Sequence, residues 1–266
     1  MKIAWATELR CNQVSDDDVR VFRREVARQS PAALLLGGGI AEAASLEKYL
    51  LLLGGTLGVP VYFVLGRQDF FGGRIGNVRE AMRQLTRRDP ARFGWLPAAG
   101  VVKLGERTAL VGADGWGDGC LGSYNTSRVE PPDWKQIDEL KFLDKATRLN
   151  KLRALGLESA DGLRKLLDEA LARYERVMVM THVPPFKEAC WKDGRPADDD
   201  WLPWHSCRQV GDVLLTAAER NGGKQIDVYC GQPGDGGSVQ IRPNLMVHTP
   251  GAAAAKPTTQ PAIQID

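Results

Sequence analysis

Three short apolar segments alternate with two amphipathic segments in the first 65 residues, and this alternation restricts the fold more than any other feature of the chain. The apolar segments, residues 2–7, 33–36 and 60–65, have the length of buried strands. The segments between them, residues 16–29 and 46–53, repeat apolar side chains at helical spacing. A strand–helix–strand–helix–strand order predicts a parallel sheet covered by helices.

The rest of the chain continues this mixture of strands and helices. Helices are predicted at residues 76–87, 134–143, 161–174 and 210–219, and strands at residues 101–104, 108–112, 176–180, 225–230, 239–242 and 245–249. Two long irregular segments are predicted at residues 113–132 and 187–207. Loops of this length in a compact domain are usually functional or mobile. Residues 252–266 are predicted to form a linker and a short last strand, and residues 1–266 to form one domain.

Charge and cysteine content exclude several classes of function. Lys and Arg total 35 and Asp and Glu total 33, so the formal charge is +2, which predicts no broad surface for nucleic acid or for membranes. The five cysteines form no CxxC pair and are predicted to be reduced. Charges at Glu8 and Arg10 interrupt any signal-peptide core, and no apolar run is long enough to span a bilayer, so a soluble, cytoplasmic protein is expected.

Five of the predicted strands end in small or polar loops. These loops are Thr7-Glu8-Leu9-Arg10, Gly37-Gly38-Gly39, Gly66-Arg67-Gln68-Asp69, Thr181-His182 and Gly231-Gln232-Pro233-Gly234-Asp235. The carboxyl ends of parallel strands gather along one edge of a sheet, which is where open α/β sheets collect their chemistry. The five loops are therefore predicted to meet in one site around His182.

The order and spacing of these loops resemble the calcineurin-like metallophosphoesterase family. In that family the corresponding loops have, in the same order, the patterns Asp-x-His, Gly-Asp, Gly-Asn-His-(Asp/Glu), a lone His, and Gly-His-x-His. The flanking text fits closely in MKIAW, ALLLGGGIAEA, PVYFVLGRQDFFGG, ALVGADGWGDG, MTHVPPF, DDDWLPW and VYCGQPGDGGSVQIRPNL, so the resemblance covers nearly the whole chain. It implies an α/β fold, a four-layer αββα sandwich of two mixed sheets, and in the family itself two divalent metals such as Mn, Fe or Zn that support phosphoester hydrolysis.

The chain departs from the family pattern at almost every position that carries chemistry. It has Glu8 for Asp, Arg10 for His, Gly39 for Asp, Arg67 for Asn, Gln68 for the proton-donating His, Gln232 for His and Gly234 for His. Of the metal-ligand positions, His182 stands unchanged. The loss at Gly39 matters most, because the aspartate that it replaces bridges both metals in the family.

Charge also argues against a metal centre at these positions. A divalent ion about 5 Å from a guanidinium is repelled by on the order of 6 kcal/mol at an effective dielectric constant of roughly 20. Arg10 and Arg67 would both oppose the ion, and a catalytic zinc wants about three protein ligands. We therefore expect no dinuclear centre and no metal cofactor. Without a metal, no bound water is acidified, and Gln68 cannot exchange a proton near neutral pH.

Two interpretations of such a cleft remain open within a pseudoenzyme. Arg10 and Arg67 could bind a phosphate-like anion, with Glu8, Gln68, His182 and Gln232 adding hydrogen bonds. Alternatively, Glu8, Asp69 and the two arginines could neutralise one another in a structural ion-pair cluster.

Two further hypotheses belong to other classes. The chain could still be a hydrolase with a single-metal or metal-free site, whose catalytic candidates are His182, Gln68 and Asp69, with Glu8 as a further neighbour of the histidine. It could instead be an interaction subunit that binds a protein partner through aromatic side chains, since these concentrate in the two long loops. The aromatic side chains in question are Trp116, Tyr124, Trp191, Trp201 and Trp204.

Overall fold

The computed structural model describes residues 1–55, 57–192, 195–231, 236–251 and 256–265. Its strands are β1 (Lys2–Ala6), β2 (Ala33–Leu36), β3 (Val61–Phe63), β4 (Phe93–Trp95), β5 (Val102–Lys103), β6 (Thr108–Ala113), β7 (Arg176–Thr181), β8 (Trp191–Lys192), β9 (Arg195–Pro196), β10 (Gln225–Cys230), β11 (Gly237–Arg242), β12 (Leu245–Thr249) and β13 (Ile263–Gln264). Its α-helices are α1 (Asp16–Arg28), α2 (Leu46–Gly54), α3 (Ile75–Arg88), α4 (Leu96–Ala99), α5 (Asp133–Gln136), α6 (Lys145–Arg173), α7 (Leu202–His205) and α8 (Arg208–Arg220).

Two mixed sheets carry the fold. The first has the order β13-β1-β2-β3-β4, in which β1 to β4 are parallel and β13 pairs antiparallel with β1. The second has the order β11-β12-β10-β7-β6-β5, with a parallel centre of β12, β10, β7 and β6 and antiparallel strands at both edges. The predicted α/β class with two mixed sheets flanked by helices is confirmed.

Strand alternation explains why the sheets form separate layers of a sandwich. In β1, Ile3 and Trp5 contact the core between the two sheets, whereas Ala4 and Ala6 face the helices on the other side. In β7, Met178 points to the core between the sheets, and Val179 packs toward α6 and α8. Each sheet therefore buries both faces, which is why its strands read as continuous apolar runs.

The largest departure from the sequence prediction is helix α6. The predicted helix at residues 134–143 is wrong beyond Gln136, and the predicted helix at 161–174 is the second half of a 29-residue helix that begins at Lys145. Asp144 caps this helix, since its side chain accepts from the backbone N–H groups of Ala146 (2.9 Å) and Thr147 (3.0 Å). The cap fixes the start of the helix at Lys145, about 16 residues before the predicted start at residue 161.

The long loops and the chain end follow the prediction in part. Residues 114–132, all of which the structure describes, form neither helix nor strand. Residues 187–207 contain a 3₁₀ turn, β8, β9 and α7 instead of being irregular throughout. Strand β13 lies within the predicted last strand, whereas residues 252–255 of the predicted linker lie outside the described residues. None of the helices in the described part of the chain is long and apolar enough to cross a membrane.

Candidate functional site

The ends of β1, β2, β3, β7 and β10 meet at one edge of the sandwich. We define the strand-end site as residues 7–10, 37–39, 66–69, 181–182 and 231. The N–H of Gly231 lies 2.8 Å from the carbonyl of Thr181, and the hydroxyl of Thr7 donates to the carbonyl of Gly231 and lies 3.3 Å from that of Gly38. The described parts of all five loops singled out in the sequence therefore come together.

Backbone atoms from the two sheets touch at the centre of the strand-end site. A Cβ added to Gly231 would lie 1.5 Å from the carbonyl oxygen of Gly37, and one added to Gly37 would lie 2.6 Å from the Cα of Gly231. Side chains at these two positions would separate the sheets, because real Cβ atoms do not approach so closely. Glycine is required here by the close approach of two main chains.

The imidazole of His182 fills the space that neighbouring glycines leave open. A Cβ on Gly66 would lie 2.4 Å from Cε1 of His182, and a Cβ on Gly38 would lie 2.8 Å from Nδ1. His182 is 2% exposed, and its Nδ1 lies 2.8 Å from the carbonyl of Gly37. Since a carbonyl only accepts, Nδ1 carries the proton in the neutral ring. Burial lowers the pKa of His182 below its usual value, with the charge of Glu8 opposing that shift.

Glu8 and Arg10 form the first ion pair of the strand-end site. Arg10 donates from Nε (3.0 Å) and Nη2 (2.9 Å) to the Oε2 atom of Glu8. Both residues have left-handed backbone conformations, with φ of 51° and 46°, which are uncommon outside glycine. Their backbone N–H groups donate to the carbonyls of Gly38 and Gly39, each at 2.9 Å, and these bonds hold the turn in place.

The other oxygen of Glu8 faces His182 and position 39. Its Oε1 lies 3.7 Å from Nε2 of His182. A Cβ on Gly39, where φ is +64°, would lie 2.4 Å from the same Oε1. The carboxylate of Glu8 therefore occupies the space into which a side chain at position 39 would extend.

Arg67 forms the second ion pair, with a residue that the sequence analysis missed. Its Nη1 lies 3.0 Å and 3.3 Å from the two carboxylate oxygens of Asp133, which is 6% exposed at the start of α5. The Nε of Arg67 is buried without a hydrogen-bond partner in the described part of the chain. Asp133 belongs to none of the five motifs and lies 66 residues from its partner, so no local signal in the sequence identifies it.

Asp69 is fully buried and accepts four backbone hydrogen bonds. Its Oδ2 accepts from the N–H groups of Gly39 (2.9 Å) and Gly66 (2.7 Å), and its Oδ1 from those of Ile40 (2.7 Å) and Ala41 (3.0 Å). Burial raises the pKa of the Asp69 carboxyl to about 7, and the N–H donors oppose that rise. Asp69 thus ties the loop after β2 to the loop after β3. The hypothesis that it pairs with the arginines is wrong, because its oxygens are bonded to the main chain and the arginines pair with Glu8 and Asp133.

The remaining predicted site residues are less informative. Gln68 is half-buried in the 3₁₀ turn Arg67–Phe70, between Arg67 and Asp69. Gln232, Gly234 and the neighbouring Asp235 lie outside the described residues.

The described donor atoms do not fit a dinuclear metal centre. In the described ranges, no group of three or more His, Cys, Asp and Glu side chains could hold a metal ion. The strand-end site offers Glu8 Oε1 and His182 Nε2, while the second oxygen of Glu8 is bonded to a guanidinium. Two donors are fewer than the roughly three protein ligands that a catalytic metal needs.

The aromatic residues of the long loops are mostly internal. Trp116, Tyr124 and Trp204 are each less than 5% exposed. Trp116 packs on Phe70 with ring centroids 5.0 Å apart, and Tyr124 packs on Trp204 at 4.7 Å. Trp191 and Trp201 are half-buried. The aromatic side chains therefore cover the strand-end half of the core more than they form an exposed surface.

Comparisons with known proteins identify the fold. Neither the protein-family models nor the curated proteins give a match to this chain. Among solved structures, a dimetal phosphatase from Danio rerio matches with a TM-score of 0.56 and 12% identity, over 95% of this chain and 87% of that one. Phosphopantetheinyl hydrolase from Mycobacterium tuberculosis matches with a TM-score of 0.64 and 11% identity, over 94% and 89%. A protein from Thermus thermophilus matches with a TM-score of 0.53 and 12% identity, over the same shares.

These TM-scores establish the fold, and identities as low as 11–12% leave the activity open. The two mixed sheets flanked by helices agree with these neighbours. The chain therefore has the calcineurin-like metallophosphoesterase fold that its sequence motifs implied.

Proposed function

We propose that this protein is a pseudoenzyme of the metallophosphoesterase fold, in which two guanidinium–carboxylate pairs take the place of the two metal ions. The observation that carries the proposal is the pairing of both arginines at former ligand positions, Arg10 with Glu8 and Arg67 with Asp133. Each pair supplies internally the charge compensation that a bound cation would otherwise provide.

The burial of these groups supports the proposal. The side chains of Glu8 and Asp133 are 5% and 9% exposed, and burying a charge is costly unless it is paired, as both are here with a guanidinium. A divalent ion could use Glu8 only by displacing Arg10 or by accepting its repulsion. A metal ion in this cleft would therefore have too few ligands and an unfavourable electrostatic field, so we expect no metal-dependent hydrolysis.

Weak binding of a phosphate-like anion is the finer part of the proposal. The side chain of Arg10 is 37% exposed, and its contact with Glu8 uses Nε and Nη2, which leaves the Nη1 group outside this pair. Arg67 contributes mainly its charge, because its Nη1 contacts Asp133 and its Nε is buried. Because each guanidinium already faces a carboxylate, we expect phosphate to bind only in about the millimolar range.

Elemental analysis combined with activity measurements tests the proposal. Protein purified without chelators should carry far less than one equivalent of Mn, Fe or Zn, and added Mn²⁺ should give no hydrolysis of bis-p-nitrophenyl phosphate above background. His182→Ala is the control variant, since any residual rate in a true pseudoenzyme should be unchanged by it. Stoichiometric metal, or a rate that disappears in His182→Ala, would refute the proposal.

One observation favours a second candidate, a hydrolase with a single metal. Glu8 Oε1 and His182 Nε2 lie 3.7 Å apart, and a lone pair on each atom could face the same ion. In this case Arg10→Ala, which removes the competing cation, should increase both Mn²⁺ binding and turnover. If Arg10→Ala binds no more Mn²⁺ than the unmodified chain, this candidate fails.

A further inference from the structure

Phe142 projects fully into solvent from the turn that precedes α6. Its side chain is 100% exposed, whereas the other exposed large apolar side chains of the described residues are at most 50% exposed. Its backbone is left-handed, with φ of 59°, a conformation that bulky side chains rarely adopt. A strained backbone that presents an aromatic ring to water marks Phe142 as a candidate contact with another molecule.

The turn holds Phe142 in a fixed position. Leu140, two residues earlier, is fully buried. One residue later, the carbonyl of Leu143 accepts a hydrogen bond from Nη2 of Arg148, which belongs to α6. An aromatic side chain on a turn that is anchored on both sides has little freedom left to lose when it binds.

An open cavity lies on the same chain between α3, α4 and α6. Its volume is about 340 Å³, at the lower end of the range for small-molecule sites. Its apolar wall consists of Trp95, Pro97, Leu163 and Leu166, and the exposed Gly162 also lines it. None of the residues of the strand-end site lines this space, which we term the α3–α6 cavity.

The charges of the α3–α6 cavity are balanced. Oδ2 of Asp114 and Nε of Arg79 are both buried and lie 3.4 Å from each other, so neither atom is available to an occupant. The lining cations equal in number the lining carboxylates together with the ion-pair partner of Arg83. These groups are Arg79, Arg83 and Lys165 against Asp114, Glu158 and Glu80. A neutral cavity with an apolar wall favours an uncharged, apolar occupant.

We propose that Phe142 of one copy of this chain inserts into the α3–α6 cavity of a second copy. Phe142 and the cavity cannot meet within one chain, because Gly162 lies about 25 Å along the helix axis from Lys145, where α6 begins. The ring supplies the apolar group that the cavity favours. An exposed apolar side chain that matches a cavity elsewhere on the same molecule joins copies of that molecule.

Two such contacts related by a two-fold axis close a dimer. A single aromatic ring buries only about 150–250 Å², far less than the roughly 1,200 Å² of total area that a stable interface needs. A reciprocal pair doubles the contact and leaves no free ring or free cavity to extend the assembly. The dimer is therefore weak, with a Kd of about 0.1–1 mM.

Two variants remove the two halves of the contact separately. Phe142→Asn removes the ring, and asparagine tolerates a left-handed backbone, so the turn is preserved. Gly162→Met extends a side chain into the cavity, since a Cβ at Gly162 would meet no atom within 4 Å. The matched controls are Leu51→Gln, at another exposed apolar side chain, and Gly162→Ala, which adds a single carbon.

Sedimentation equilibrium at about 0.02–1 mM protein measures the association. The unmodified chain and both controls should dimerise, whereas Phe142→Asn and Gly162→Met should each weaken the dimer by about tenfold or more. In an equimolar mixture of these two variants, the ring of one meets the open cavity of the other, so association should return in part. Raising NaCl from about 0.05 to 0.5 M should change Kd by less than about threefold, because the charges of the cavity are balanced.

A chain that stays monomeric at about 1 mM would overturn the proposal, as would equal association of the two variants and their controls. So would a mixture that fails to associate although both variants keep the urea midpoint of the unmodified chain. If the chain stays monomeric while toluene shifts the indole N–H resonance of Trp95, the cavity takes a small apolar molecule instead of a second copy. None of these outcomes depends on metal content or on hydrolysis, so the dimer and the proposed function fail separately.

Discussion

The carboxylate of Glu8 lies where a side chain on Gly39 would begin, since a Cβ at position 39 would be 2.4 Å from Glu8 Oε1. In the family pattern both positions carry aspartate, one methylene shorter than Glu8. We therefore expect the longer acid at position 8 and the missing side chain at position 39 to be energetically coupled. Restoring either position alone would create a clash or leave a gap.

We expect Gly39→Asp alone to destabilise the fold by about 2–4 kcal/mol, because it adds a clash with Glu8 to a left-handed backbone. The double variant Glu8→Asp/Gly39→Asp should recover about 1 kcal/mol or more of that loss. Urea unfolding of the four proteins in the cycle measures this coupling. Gly72→Asp, with φ of +74° and no atom within 4 Å of its Cβ, is the control for backbone strain alone. Strictly additive effects at positions 8 and 39 would contradict the coupling.

Asp69→Asn should be among the more damaging polar substitutions in the chain. The amide has one acceptor oxygen where the carboxylate has two, so two of the four N–H donors now bonded to Asp69 lose their partner. At about 1–3 kcal/mol for each orphaned group, we expect a loss of roughly 2–5 kcal/mol in the free energy of unfolding. Asp17→Asn, at a side chain that is 86% exposed, should change it by less than about 0.5 kcal/mol. Similar values for the two variants would show that Asp69 does not hold the loops.

His182 should make the protein less stable as the pH falls. Burial lowers its pKa in the folded state, whereas the unfolded chain titrates near the ordinary value of about 6.5. Between these two values the unfolded state binds the proton and the folded state does not, so the free energy of unfolding decreases as the pH drops below about 6.5. His182→Gln should reduce this slope in urea titrations between about pH 7.5 and pH 5.

A histidine elsewhere provides the control for this pH effect. Burial also lowers the pKa of His248, so His248→Gln should remove a separate part of the slope in the same direction. If His182→Gln retains the full pH dependence of the unmodified chain, His182 is not the group that titrates.

Asp133→Asn should free Arg67 and tighten the binding of inorganic phosphate. Arg67 would keep its charge and lose its carboxylate partner, and we expect an affinity gain of roughly fivefold or more by calorimetry. Stability should decrease by about 1–3 kcal/mol, because a largely buried cation loses its partner. The double variant Arg67→Gln/Asp133→Asn should bind phosphate as weakly as the unmodified chain. An unchanged affinity in Asp133→Asn would exclude Arg67 from any anion site.

The sequence predicted the strands better than the long helix. Apolar runs bounded by glycine marked β2 and β3, and the resulting strand ends do meet around His182. The first half of α6, residues 145–157, is rich in Lys and Arg and carries a weaker apolar stripe than its second half, and its beginning is set by the cap at Asp144. Capping by one side chain decides such a boundary, and periodicity alone does not show it.

The ion-pair partners at the strand-end site could not be read from the motifs. Glu8 and Arg10 are two residues apart, but nothing in their spacing distinguishes a mutual pair from two ligands of a third group. Asp133 contacts Arg67 because the segment between β6 and α6 carries it to the strand-end site. The choice of partner for a charge depends on three-dimensional proximity, which a single sequence does not encode locally.

The contact between Gly37 and Gly231 has a consequence for how such a protein can change. Because the two sheets are joined here by main-chain atoms, the frame that positions residues 8, 10, 39, 67 and 182 does not depend on what those residues carry. Side chains at these positions, including the coupled pair at positions 8 and 39, could therefore change while the two sheets stayed joined. The same property makes this edge a suitable starting point for installing new reactive groups by design.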